Sequence, residues 1–247
     1  MIFLNNNICF LLTIFAGLST LLGIIPIFFK IKNINKFIVS SLSFASGVMF
    51  SISTFDLLIE SLKMFYEEYS VIVTTLLFLL LFIIGFVMSK FINDKLDKYN
   101  NLYRVGLTSM IAIILHSIPE GILTFTAFNV NQKLGLTLAL AITLHNIPEG
   151  ISIAVPIYYS TKSKIKVLIY ALLSAIAEPI GALLSFLFLR NLVSNMIIGI
   201  MLSLVCGIMI YISLFELLKE AKKYNEDKLL NLFFVIGLVF MFITLHI

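Results

Sequence analysis

The chain has 247 residues, 60% of them hydrophobic and 12% charged, and its mean hydropathy of +1.09 lies far outside the range of a soluble globular domain. It reads as an all-α integral membrane protein. So little sequence lies between its apolar runs that no soluble domain or catalytic module fits outside the membrane, and residues 1–247 are expected to form a single transmembrane domain.

A helical span needs roughly 20 apolar residues. That length marks eight segments, at residues 8–29, 36–57, 70–92, 105–128, 134–157, 165–189, 195–218 and 229–246. The first reads as a span and not as a signal peptide, because MIFLNNN carries no Lys or Arg and no convincing small-residue cleavage site follows. Cys9 and Cys206 fall in separate spans without metal or redox spacing, which predicts packing roles for both. If the N-terminus is outside, the inner loops collect Lys30, Lys32, Lys36, Lys90, Lys95, Lys98, Arg104, Lys162, Lys164, Lys166, Lys219, Lys222, Lys223 and Lys228. These are 14 of the 17 Lys and Arg, and only Lys63, Lys133 and Arg190 stay outside. Both termini are therefore expected to face out. The same bias accounts for the net charge of +4, so a nucleic-acid partner has nothing left to explain.

The second and seventh spans repeat each other when residue n is set against n + 160. SFASGVMFSISTFDLL from Ser43 aligns with SLVCGIMIYISLFELL from Ser203, matching Gly47 with Gly207, Ser53 with Ser213 and Asp56 with Glu216. Spans five apart cross in opposite directions, so this is an inverted repeat, spans 1–3 against spans 6–8 around a central pair of spans 4 and 5. In transporters of that plan the site lies near the midplane. Asp56 then lies towards the outer face and Glu216 towards the inner one. Two readings stand for them: acids that meet water at span ends, or the entry and exit points of a metal path.

The central pair carries HSIPEG at residues 116–121 and HNIPEG at residues 145–150, each about half-way along its span. His and Glu four apart share one helix face, so His116 with Glu120 and His145 with Glu149 form two claws on antiparallel neighbours. Each Pro removes a backbone donor, which frees the carbonyls of Leu115 and Leu144. A third carboxylate, Glu178 in SAIAEPIGA, lies equally deep in the sixth span. An ionised carboxylate at that depth costs roughly 2.5–3.5 kcal/mol, so three cost on the order of 8–10 kcal/mol. No Lys or Arg lies at the midplane to offset this, and a divalent cation is the simplest compensation. A His and Glu set without thiolate suits Zn(II), Fe(II), Mn(II) or Co(II), held softly enough to leave again. The bland alternative is a hydrogen-bonded His/Glu cluster that fixes helix packing.

These residues carry a resemblance. HSIPEG, HNIPEG and the AEP of the sixth span are similar to the signatures of the ZIP (Zrt/Irt-like) metal transporters, most of all the bacterial ZupT type, with GVMFSIS at Gly47 and GIMIYIS at Gly207 extending the likeness along nearly the whole chain. The resemblance implies an eight-helix fold in a bacterial plasma (inner) membrane with a central path that carries zinc, and often iron, manganese and cobalt, into the cytoplasm. It implies one metal site from His116, Glu120, His145 and Glu149, and a second from Ser117, Asn146 and Glu178 bridged by Glu120 and Glu149. It also implies metal ions and lipid as partners, a homodimer as an assembly, and no prosthetic group.

Two departures from the pattern stand out. Ser117 replaces the usual Asn beside the first His, and its shorter hydroxyl weakens the second site or brings water into it. The loop between spans 3 and 4, near Lys90 to Arg104, has no His, so the His-rich metal-sensing loop of many relatives is absent. His246 reads as a solvated tail residue.

The expected mechanism is alternating access: entry near Asp56, capture at the claws, release towards Glu216, with protons competing for the ligands. No nucleotide-binding loop is present, and the chain is not expected to be an enzyme. An intramembrane metalloenzyme, with Glu as general base and a metal-bound water as nucleophile, and a proton or solute carrier using the carboxylates as a relay remain the alternatives.

Overall fold

The computed structural model describes residues 2–189 and 194–245; Arg190 and His246 lie outside the described residues. Among the described residues eight helices are long and apolar enough to cross a membrane: span 1, Asn7–Phe28; span 2, Ile34–Tyr66; span 3, Val71–Lys95; span 4, Asn101–Asn129; span 5, Gly135–Thr161; span 6, Lys164–Phe188; span 7, Asn195–Lys222; and span 8, Asp227–Thr244. Their starts are set by polar caps that satisfy the first free amides. The Asn33 side chain accepts from Lys36 N at 3.1 Å, Asn100 from Leu102 N at 3.0 Å, and Ser163 and Ser194 from Lys166 N and Ile197 N at 3.3 Å each. An even number of crossings places both termini on one face.

Two boundaries differ from the sequence expectation. Span 2 does not stop at Leu57 but runs on to Tyr66. The charged residues Asp56, Glu60 and Lys63 end the apolar run without ending the helix, because Ser61 and Phe65 continue its buried face and the Phe65 ring sits against Gly199 of span 7. Arg104 does not belong to a loop: span 4 starts at Asn101, which puts Arg104 in its first turn. The turn between spans 3 and 4 is correspondingly shorter than the apolar runs suggest.

Close helix contacts sort the spans into two groups of four. Spans 1, 4, 5 and 6 interlock where backbone meets backbone at glycine: a methyl group on Gly121 would strike the Glu178 carbonyl, and one on Gly150 would strike the carbonyl of Thr20. Spans 2, 3, 7 and 8 do the same at Gly47 against the Phe234 carbonyl and Gly207 against the Phe82 carbonyl. With no hydrophobic force between helices in lipid, such close packing is what holds them together.

The inverted repeat is written into the hydrogen bonds. Ser46 Oγ donates to Ser213 O at 2.8 Å, and Cys206 Sγ donates to Ser53 O at 3.2 Å. Adding 160 turns Ser46 into Cys206 and Ser53 into Ser213, so each bond is the image of the other across the contact of spans 2 and 7. Ser213 Oγ also donates to Ser46 O at 2.9 Å. Both spans widen into π-helix at equivalent places, Ser53–Leu57 and Ile212–Leu217, around Asp56 and Glu216. Widened turns of this kind carry backbone that is not fully committed to its own ladder, and they recur at functional positions.

The main apolar cluster runs through the bundle, from Ile38 and Val105 near one face to Phe65 and Met241 near the face of the termini. A much smaller cluster of Cys9, Phe125, Phe128 and Ala182 lies among spans 1, 4 and 6.

Candidate metal centre

Spans 4 and 5 run unbroken through Pro119 and Pro148, so the two hexapeptides keep their helical spacing. His116 is 1% exposed, and its Nδ1 lies 3.3 Å from Ala112 O one turn back. Donation from Nδ1 to that carbonyl fixes the ring and turns the Nε2 lone pair into the bundle, the arrangement a metal-binding imidazole needs. Nε2 lies 3.0 Å from Glu149 Oε1 and 3.6 Å from Glu120 Oε2. On the other side, His145 Nε2 lies 3.1 Å from Glu120 Oε1. Each His therefore meets the Glu of the opposite helix, and the two claws interlock.

Ligand atoms held about 2.0–2.2 Å from a tetrahedral zinc stand roughly 3.3–3.6 Å from one another. The three separations of 3.0, 3.1 and 3.6 Å bracket that edge length. Among the described residues no three or more His, Cys, Asp or Glu side chains already surround a common point as ligands do; the four groups are paired with one another instead.

Glu149 and Glu178 are both 0% exposed. Glu149 Oε2 has no hydrogen-bond partner, nor do Glu178 Oε1, Glu120 Oε2 and Asn146 Oδ1. Buried acceptors left so are costly in a protein interior and more so in lipid, and they are the lone pairs a cation takes. Asn146 Nδ2 donates to Glu178 Oε2 at 3.1 Å and to Ala16 O at 2.9 Å, tying the third carboxylate to the claws and to span 1. Ser117 is buried at the matching place on span 4. His116, Glu120, His145 and Glu149 are thus in direct contact, and Glu178 is held by Asn146, the neighbour of His145 in sequence.

A cavity of about 480 Å³ opens between the two groups of helices on the face that carries the termini. Asp56 and Glu60 of span 2 line it on one side, and Glu120 and His145 lie at its depth on the other. Glu60 and Met64 escaped the sequence reading because it ended span 2 at Leu57; the i, i+4, i+8 spacing of Asp56, Glu60 and Met64 was the available signal. Glu216 does not line this cavity and lies buried at the far end of span 7.

The family model for the ZIP zinc transporters matches residues 92–245. The chain belongs to the ZIP family. Relatives of this ZIP chain include proteins described as zinc transporter ZupT from Clostridium perfringens, 34% identical over 97% of this chain and 96% of that one; from Oceanobacillus iheyensis, 35% identical over 98% of each; and from Streptococcus mutans, 37% identical over 96% of each.

Proposed function

We propose that this protein moves zinc, and with lower discrimination Fe(II), Mn(II) and Co(II), across a bacterial plasma membrane into the cytoplasm. The observation that carries the reading is the interlocked set of His116, Glu120, His145 and Glu149, buried at mid-span with unpartnered carboxylate oxygens at the foot of an open cavity. The ion enters past Asp56, exchanges water for the imidazole and carboxylate ligands, and leaves towards Glu216. Asn146, Glu178 and Ser117 form an adjoining site that shares Glu120 and Glu149 with the first. The termini lie outside, residues 1–247 act as one transport domain, and a homodimer is the assembly we expect.

Alternating access requires the two groups of helices to move relative to each other, since the cavity lies between them. Protons and metal compete for the same lone pairs, so protonation of the ligands favours release. The test is uptake of radioactive zinc into proteoliposomes. Glu120→Ala and Glu149→Ala are each expected to abolish saturable uptake, and unlabelled Mn(II), Fe(II) and Co(II) to compete in the parent. Uptake at the parental rate in both variants would mean that the cluster only fixes helix packing.

A further inference from the structure

The face opposite the termini carries the turns that follow spans 1, 3, 5 and 7, and their charges are not alike. After span 3, Asp94 and Asp97 stand beside Lys95, Lys98 and Arg104, and Arg104 is ion-paired with Asp97. After span 7, Glu220, Glu226 and Asp227 stand among Lys219, Lys222, Lys223 and Lys228, with Lys223 Nζ 2.5 Å from Glu220 Oε2. The other two turns hold no acid. Asp56 is the first carboxylate of the chain, and none lies between Glu149 and Glu178, so Lys30, Lys32, Lys36, Lys162, Lys164 and Lys166 have no acidic neighbour in sequence. Space adds only one: among the described residues, the sole ion pair of these lysines is the long contact of Lys36 with Glu226 at 4.0 Å.

The two acid-free turns form one rim. Lys164 Nζ, at the start of span 6, lies 4.5 Å from the centre of the Phe28 ring, at the end of span 1. The rings of Phe37 in span 2 and Tyr159 in span 5 stand 5.9 Å apart, and Lys162 Nζ lies 4.7 Å from the centre of Tyr159. Lys166 Nζ is placed over Tyr103 in the same way, at 5.8 Å. Aromatic faces thus take the place that carboxylates have in the other turns, and they attract the ammonium groups without cancelling their charge. Lys162 holds a left-handed backbone conformation, φ 56°, uncommon for a lysine, in the short turn that leads from span 5 into span 6. All six lysines are exposed, and so are Phe28, Phe29, Ile34 and Ile165 beside them. A lysine is an apolar stem under a charged head, and set among exposed apolar side chains at a helix end it suits a ligand with the same two parts.

We propose that the rim of Lys30, Lys32, Lys162, Lys164 and Lys166 binds the headgroups of anionic phospholipids of the surrounding leaflet. The lipid phosphate supplies the counter-charge that no carboxylate of the chain supplies, while Phe29 and Ile165 meet the acyl chains. A bilayer lipid fits better than a dissolved phosphate, because a free anion gains nothing from the exposed apolar side chains that flank the lysines. The rim is built chiefly on the ends of spans 1, 5 and 6, in the group of helices that carries the claws, so the lipid attaches to that group and not to spans 3, 7 and 8. The inference is independent of the transport reading, and its test reads lipid contact without metal flux.

The chain has no tryptophan, so Phe29→Trp gives a single fluorescent reporter at the rim. Phe91→Trp is the control, exposed on span 3 near the same face, where Lys95 Nζ lies 5.1 Å from the ring centre and Asp94 and Asp97 follow. The full chain is reconstituted into phosphatidylcholine vesicles with increasing fractions of brominated phosphatidylglycerol or brominated phosphatidylcholine as quencher. Attraction to an anionic surface grows roughly fivefold per nearby lysine, so Phe29→Trp is expected to be half-quenched at an about tenfold lower fraction of the brominated anionic lipid than of the neutral one. The Phe91→Trp reporter is expected to separate the two lipids little. Lys30→Gln, Lys32→Gln and Lys164→Gln together are expected to bring Phe29→Trp to the control level, and the same three positions changed to Arg to keep the preference. Equal quenching by the two lipids at Phe29→Trp overturns the proposal, and so does a preference that survives the three Gln changes. Loss of the preference in inorganic phosphate but not in chloride of the same ionic strength also overturns it, because the ligand would then be a free anion. If the triple Gln chain does not fold, Lys164→Gln alone is judged by the same criteria.

Discussion

His116 and Glu149 lie on different helices and 33 positions apart, yet at 3.0 Å they make the shortest contact within the interlocked set. The spacing of each hexapeptide puts His and Glu on one face, and the pairing of claw to claw then follows from the antiparallel approach of spans 4 and 5. Around this set the energetics turn on single polar atoms. Among the described residues Asn146 is the side chain that donates to Glu178, so Asn146→Ala releases that carboxylate and removes one of the bonds to the Ala16 carbonyl, which keeps the Ser19 hydroxyl. Removal of an outer partner of a metal ligand costs roughly 10–100-fold in affinity or activity. The half-saturating zinc concentration for uptake in Asn146→Ala is therefore expected to rise by a factor in that range. Ser117→Asn should act in the opposite sense, because an amide reaches further than a hydroxyl; a several-fold lower half-saturating concentration is expected, and an unchanged value would show that Ser117 does not face the ion.

Among the elements, the glycine contacts decide which helices move as one. Gly121 against Glu178 and Gly150 against Thr20 bind the site-bearing spans 4 and 5 to spans 6 and 1. Gly150→Ala forces a methyl group into backbone and cannot be absorbed by a rotamer change. A loss of about 1–3 kcal/mol is expected, read as a lower Tm of the detergent-solubilised chain. The reciprocal bonds of Ser46 and Ser213 are weaker in kind. Interhelical hydrogen bonds in membranes average about 0.6 kcal/mol, so Ser46→Ala should cost on that order, and the Ser46→Ala, Ser213→Ala double variant should cost less than the two together. Additive losses would show that the two serines stabilise the crossing independently. The extension of span 2 to Tyr66 illustrates what hydropathy misses at this scale: Phe65 continues the helix by packing on Gly199, a contact that no window of composition contains.

For the whole molecule, the cavity opens towards the face of the termini, while buried Ile113, Ile153 and Ile157 fill the bundle on the other side of the claws. Acid applied to the open face should slow zinc uptake, since the ligands bind metal only when deprotonated. More zinc should relieve the inhibition, and the check is a zinc titration at two pH values. A fall in maximal rate without a change in the half-saturating concentration would place the titrating group outside the metal site.

The sequence by itself determined the eight spans, the inverted repeat and the two His/Glu claws with Glu178 at equal depth, because each is a matter of local composition or spacing. Transfer of apolar residues into lipid is roughly additive along a chain, and helical periodicity needs no partner. The family signatures were legible for the same reason. The packing of the helices settles that His116 meets Glu149 and not just Glu120, that Glu60 and Met64 line the approach, that Arg104 sits in the first turn of a helix, and on which face the cavity opens. These depend on how far each helix is rotated and how closely it approaches its neighbours. That is set by backbone contacts at a few glycines between segments distant in sequence, where neither hydropathy nor spacing carries the information.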